Sequence, residues 1–409
     1  MIYKSADLIF NKVKKKYDYN YIISYYDFYE KILDNFEHKN NSIFFFFKNL
    51  FLVLLSLISL VKIFLFKNIY TVNYFIVNHN DGDYIDKRSK FYLSKKKLSR
   101  NINLVRSENF IESIVVYFKF NNIIFINSFK YIIGFFIGIN KLNCSFLKIH
   151  KQNYLFYLLV RKIFFFLKIK KFYLIDDYRI MPIFLKVADE LNINTIGFMH
   201  GRISKHNISH RYFSFKKIYV VSNFFKQQLL ELNHQYHHKD IIINRNIKYK
   251  RKFLKNIKSI KNYKIFNILF IMDKNLGFEK KIIQYFDQIL ACKSINLFIK
   301  FRPNDNPNLN LINYCRSKNI TFFHRENIYE IFIKNNINYL ISSSSTLLLE
   351  SSLFRIFPLM LITTDDYAND FLSKKVVFPI YSFKNFSKKI KNLSQKSKEL
   401  NQIYKTVWL

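Results

Sequence analysis

The hydroxyl-rich stretch Ser342–Thr346 and the basic pair Lys300 and Arg302 are the residues of this chain best suited to hold an anion. Four serines and a threonine follow the β-branched and aromatic run Ile337–Ile341, and the apolar run Leu347–Leu349 comes next. That order reads as strand, turn and helix start, with Ser345 or Thr346 placed to cap the helix. The N–H groups of a first helical turn, at the positive end of the helix dipole, favour phosphate. Ser344, Ser345 and Thr346 are therefore candidate phosphate ligands, and the competing reading is an ordinary polar loop with a cap. Glu350 lies four residues after Thr346, one helical turn on, so both can face the same ligand. A carboxylate there repels phosphate, so its expected partners are the hydroxyls of a ribose or the donors of a base.

Lys300 and Arg302 close the run NLFIKFRP. Two apart on a strand, they share one side while Phe301 faces the other. Arg302 can grip phosphate through its planar fork, and Pro303 ends the strand and shapes the turn at Asn304–Asp305. The alternative is a pair of solvated charges at a sheet edge in a lysine-rich chain. Two other strand ends carry candidates for proton transfer. His200, followed by Gly201, can take a proton from a hydroxyl, unless it is a structural histidine. Asp176 and Asp177 are rival bases; adjacent on an extended stretch they point oppositely, so one of them is expected to face a ligand. His234, His237 and His238 have no metal-binding spacing, and no D-x-D stands in a suitable loop, so neither a metal nor a resident cofactor is expected.

These candidates need strands to present them. Short runs dense in aliphatic and aromatic residues, at Tyr74–Val77, Asn122–Ile126, Phe172–Ile175, Thr195–Met199, Ile218–Val221 and Ile241–Ile243, read as buried strands. Helical spacing fills Ile180–Leu191 and Asn223–Leu232. The same alternation resumes later, with strands at Ile268–Met272, Asn296–Phe301, Ile320–Phe323, Tyr339–Ile341 and Leu359–Ile362 and helices between them. Strand and helix in turn predict mostly parallel sheets covered on both faces, with ligands at the C-terminal strand ends. A basic, polar stretch interrupts the rhythm, so residues 1–245 are expected to form one domain, 246–263 a linker, 264–382 a second domain and 383–409 a helical tail. No G-x-G-x-x-G fingerprint and no P-loop is present.

The chain has 409 residues, 50% of them apolar, with 66 basic against 28 acidic residues and a formal charge of +38. The lysines are spread along the chain and not gathered in a nucleic-acid motif, so nucleic acid is not an expected partner, while an anionic lipid or polymer remains one. Three cysteines, Cys144, Cys292 and Cys315, show no paired spacing and fit a reducing compartment. The segment Met1–Tyr19 lacks a signal-peptide pattern. Residues 44–66 are strongly apolar but interrupted by Lys48 and Lys62. A buried helix, a helix lying in a membrane interface and a spanning helix compete for that segment.

Taken with their contexts, IGFMHG, IKFRPND and NYLISSSSTLLLESSLFRIFP make this chain resemble the two-Rossmann-domain (GT-B) glycosyltransferases that build bacterial capsule and lipopolysaccharide. The resemblance covers about Tyr173–Ile362. It implies an α/β fold with two Rossmann-like doubly wound parallel-sheet domains facing across a cleft. It also implies a nucleotide-sugar donor as co-substrate in the second domain, at Lys300, Arg302, Pro303, Ser344, Ser345, Thr346 and Glu350. A surface-glycan acceptor would bind in the first domain, with His200, Asp176 or Asp177 as base. Where that family carries a histidine before the proline, this chain carries Arg302. The acidic pair is similar to the catalytic motif of bacterial sialyltransferases, with Tyr178 in place of its glycine, and that implies a CMP-linked donor. A CDP-glycerol-type polyol-phosphate transferase, a UDP-amino-sugar 2-epimerase and a non-enzymatic membrane or polyanion binder are the alternatives. The expected location is cytoplasmic, with peripheral contact to the inner membrane face.

Overall fold

The computed structural model describes residues 23–24, 43–66, 69–77, 85, 93, 95–107, 109–139, 145–175, 180–199, 203, 208–244, 265–272, 279–302, 309–362, 369–384 and 386–408. The chain divides into two compact units. In the first, helix α1 (Ile43–Phe66) leads to strand β1 (Thr71–Ile76), α2 (Lys95–Arg100), β2 (Ile102–Arg106), α3 (Phe110–Lys119), β3 (Ile123–Phe125), α4 (Ile126–Phe136) and α5 (Phe146–Phe166). It continues with β4 (Lys171–Ile175), α6 (Met181–Glu190), β5 (Asn194–Phe198), α7 (Ile208–Tyr212), β6 (Lys217–Val220), α8 (Asn223–Leu232) and β7 (Ile241–Ile243). In the second, β8 (Phe266–Ile271), α9 (Glu279–Leu290), β9 (Ile295–Lys300), α10 (Leu309–Ser317) and β10 (Thr321–Phe323) come first. Then follow α11 (Ile328–Lys334), β11 (Tyr339–Ser342), α12 (Leu347–Leu353), β12 (Phe357–Leu361), α13 (Asn369–Ser373), β13 (Phe378–Ile380), α14 (Phe386–Ser394) and α15 (Ser397–Trp408).

The first sheet has the order β3-β2-β1-β4-β5-β6-β7 and the second β10-β9-β8-β11-β12-β13, with every pairing parallel. Both are the doubly wound Rossmann order, in which the third, second and first strands are followed outward by the fourth, fifth and sixth. The expected α/β class, with two doubly wound parallel-sheet domains, is thus the observed one. Central strands such as β11 and β12 are buried along their whole length. That is why they read as continuous apolar runs rather than alternating ones.

Asparagines pair across the first two strands of each sheet, buried in the first unit and nearer the surface in the second. In the first unit, Asn73 of β1 donates to Asn103 of β2 at 2.9 Å, and Asn103 in turn donates to the carbonyls of Leu98 and Asn121. In the second, Asn296 of β9 donates to Asn267 of β8 at 3.1 Å, and Asn267 donates to the Asn335 carbonyl at 2.7 Å. The tail expected from residue 383 forms two helices in the second unit's core. The Tyr339 hydroxyl donates to the Ile390 carbonyl, Leu400 is fully buried, and the Trp408 indole N–H donates to Ser352 Oγ at 2.9 Å. Residues 246–263, expected as a linker, lie outside the described residues.

Candidate functional site

In a sheet of this order, ligands bind beyond the C-terminal strand ends where the winding reverses. In the second unit that point lies between β8 and β11. Ile271 of β8 pairs with Lys300 of β9, and Phe270 with Ile341 of β11. Ser342 therefore stands level with Ile271 on the neighbouring strand and with Lys300 one strand beyond it, about 10 Å away across two strand spacings. The structure brings the basic strand end and the hydroxyl turn to the same end of the same sheet.

The turn is built by its own hydroxyls. Ser342, at the end of β11, accepts the Ser345 N–H at 3.0 Å, and Ser345 Oγ accepts the Leu347 N–H at 3.2 Å. Of the two residues that could cap the helix, Ser345 is the one whose side chain does so. Thr346 already has helical angles (φ −61, ψ −17), and its side chain makes no capping bond. Ser344, Ser345 and Thr346 are all partly exposed, whereas Ser342 and Ser343 are buried. The helix they start is only seven residues long. Its dipole is correspondingly small, and the hydroxyls and Arg302 must supply more of any anion binding than the helix mouth does.

Lys300 corrects both sequence readings of it. Its strand lies inside the sheet, between β10 and β8, so it is not an edge charge. Nor is it open to a ligand, being 5% exposed with its ammonium donating to the Phe301 carbonyl at 2.8 Å and the His324 carbonyl at 2.6 Å. Burial pulls its pKa down to about 8, against the opposing pull of Glu326. What the side chain does is tie the end of β9 to the turn after β10, and this fixes the backbone that delivers Arg302. Arg302 itself is exposed, and Phe301 is buried against Phe322.

Glu350 also departs from expectation. It is 2% exposed and accepts the Tyr329 hydroxyl at 2.7 Å, while Tyr329 stacks on Phe354 at 5.4 Å. It therefore does not share an open face with Thr346; the first turn of α12 puts Thr346 outward and Glu350 inward. Tyr329 escaped sequence reasoning because nothing in its surroundings separates it from the chain's 28 other tyrosines (29 in all).

In the first unit, the winding reverses between β1 and β4. Asp176 and Asp177 follow β4, and His200 follows Met199 at the end of β5, but all three lie outside the described residues, as does Pro303 of the second unit. The strand leading to His200 is closely fitted. A Cβ on Gly197 would meet the Phe215 ring at 2.7 Å, and Phe198 stacks on Tyr219 at 5.2 Å.

No protein-family model matches this chain. No curated protein matches it in sequence either. Among solved structures, a glycosyltransferase from Rickettsia africae is similar at 14% identity and a TM-score of 0.43, over 84% of this chain and 95% of that one. The UDP-GlcNAc 2-epimerase of Neisseria meningitidis, bound to UDP-GlcNAc, is similar at 10% identity and 0.47, over 81% and 94%. That of Methanocaldococcus jannaschii is similar at 10% and 0.42, over 82% and 92%. At such distances the fold assignment rests on the strand orders themselves, which define a protein of two doubly wound parallel-sheet units.

Proposed function

We propose that the second unit binds a nucleotide sugar and that the protein transfers the sugar to a hydroxyl of a growing surface glycan, of capsule or lipopolysaccharide type. The observation that carries this reading is the placement of the Ser343–Thr346 turn beside the switch point of the second sheet, level with the end of the strand that delivers exposed Arg302. The donor phosphate lies against Arg302 and the hydroxyls of Ser344, Ser345 and Thr346. Lys300 and Glu350 act behind them, Lys300 by fixing the strand end and Glu350 by bracing α12 through Tyr329. As the bond to the sugar breaks, charge builds on the departing phosphate, and donors already in place stabilise it without reorganising. His200 or one of Asp176 and Asp177 takes the proton from the acceptor hydroxyl. The sialyltransferase-like acidic pair makes a CMP-linked donor the first to try.

Calorimetric titration with CMP, CDP, UDP and GDP tests the site. One of these nucleotides is expected to bind, and Arg302→Ala to weaken it by about tenfold or more, the loss of a charge-assisted hydrogen bond. Failure of all four to bind, or unchanged binding by Arg302→Ala, overturns the proposal. The reaction is then read by magnetic resonance of the sugar. Release of nucleotide that depends on an acceptor supports transfer, whereas inversion at the sugar's second carbon without an acceptor replaces transfer by epimerisation.

A further inference from the structure

Helix α1 is apolar on the wrong side for a soluble protein. Its polar residues Asn49, Ser56 and Ser59 are buried against the first unit. Asn49 donates to the Phe45 carbonyl at 2.9 Å, and Ser56 donates to the Leu52 carbonyl at 2.7 Å while accepting the Phe125 N–H of β3 at 2.9 Å. The outward stripe, spaced three and four residues apart, is Phe44, Phe47, Phe51, Leu54, Ile58 and Val61, between 44% exposed at Phe51 and 72% at Phe44. An amphipathic helix of a soluble domain shows the reverse polarity. The patch continues onto neighbouring helices: Phe46 packs on Phe135 of α4 with ring centroids 4.2 Å apart, and the adjacent Phe136 is 76% exposed.

We propose that this face docks in the plane of an anionic lipid bilayer. Charge complementarity decides between occupants. Exposed Lys62 lies on the helix, Lys119 ends α3, and Lys148 sits beside the end of α4 with its ammonium on the Gly138 carbonyl at 3.0 Å. A chain of formal charge +38 repels a second copy of itself and is drawn to acidic headgroups. The helix lies flat and does not span. Its midpoint is tied through Ser56 to β3, the edge strand of the seven-stranded sheet. A crossing would drag that sheet edge into hydrocarbon, where unpaired backbone is not tolerated. The stripe from Phe44 to Val61 is about 25 Å long, enough to seat the helix along the interface.

Co-sedimentation of the full chain with vesicles tests this. The protein is expected to pellet with phosphatidylcholine–phosphatidylglycerol vesicles, to bind phosphatidylcholine alone weakly, and to lose binding as salt is raised. Leu54→Glu combined with Ile58→Glu, both at exposed positions, is expected to cut partitioning by about tenfold or more, since two apolar side chains no longer enter the lipid. Should the pair fail to fold, as judged by circular dichroism, Val61→Glu on the same stripe serves instead. Absence of vesicle binding, undiminished binding by the folded variant, binding that resists alkaline carbonate extraction, or a stable dimer broken by the same substitutions would each overturn the proposal.

Discussion

At the scale of single residues, Lys300 shows how burial changes what a charged side chain is for. Its pKa is lowered from 10.5 to about 8, so between those values the unfolded chain holds a proton that the folded protein has released. Stability must therefore rise with pH across that window, by at most about 1.4 kcal/mol per pH unit for one proton, with the burial penalty fully present below it. Denaturant titrations at the two ends of the window measure the slope. Lys300→Met is expected to remove it, and to lower stability above the window, where the burial penalty is gone and two carbonyls lose their donor. Ser345 offers a second test: Ser345→Ala removes the acceptor for the Leu347 N–H and should cost about 1 kcal/mol in thermal or chemical unfolding. The chemical types at this site were legible from spacing alone. What spacing could not reveal is which side chains the core claims. Lys300 and Glu350 look like ligands by position and are anchored to His324 and Tyr329, residues distant in sequence.

Among the elements, most strand and helix positions were readable because parallel strands buried on both faces are short apolar runs. Strand β2 escaped because Asn103 and Arg106 break the run INLVR, and Asn103 is buried only thanks to its hydrogen bonds. Strand β13 escaped because it contains Pro379, which is tolerated there at the sheet edge. Helix ends follow a rule that six glycines in 409 residues concealed. Lys168, Asn192, Asn319, Asn336, Arg355 and Lys375 each take positive φ just past a helix. The residue after each, always isoleucine or valine, donates its N–H back to the last helical turn, as Ile193 does to Ala188 at 2.7 Å and Val376 to Phe371 at 3.1 Å. This is the Schellman arrangement followed by a buried apolar residue, built with side chains that prefer other angles. Replacing Lys375 with glycine relieves that strain at the cost of a looser unfolded chain, so a gain of up to about 1 kcal/mol is expected in chemical denaturation.

For the molecule as a whole, the two units repeat one plan. Each has the same strand order, an asparagine pair joining its first two strands, and its candidate chemistry at C-terminal strand ends. The second plan is completed only by the tail, whose Leu400, Ile403, Val407 and Trp408 are buried. Cutting the chain after Ser394 removes four such side chains, each worth about 1.5–3 kcal/mol, which rivals the whole stability of a domain. The truncated protein is expected to show no cooperative melting of the second unit by calorimetry. Trp408 is the chain's one tryptophan, 1% exposed and bonded to Ser352 on the helix that the serine turn begins. Nature has thus fitted a built-in fluorophore to one half of the protein: its emission reports on the half that carries the serine turn, while loss of order in the other half passes unseen by light absorbed at the indole.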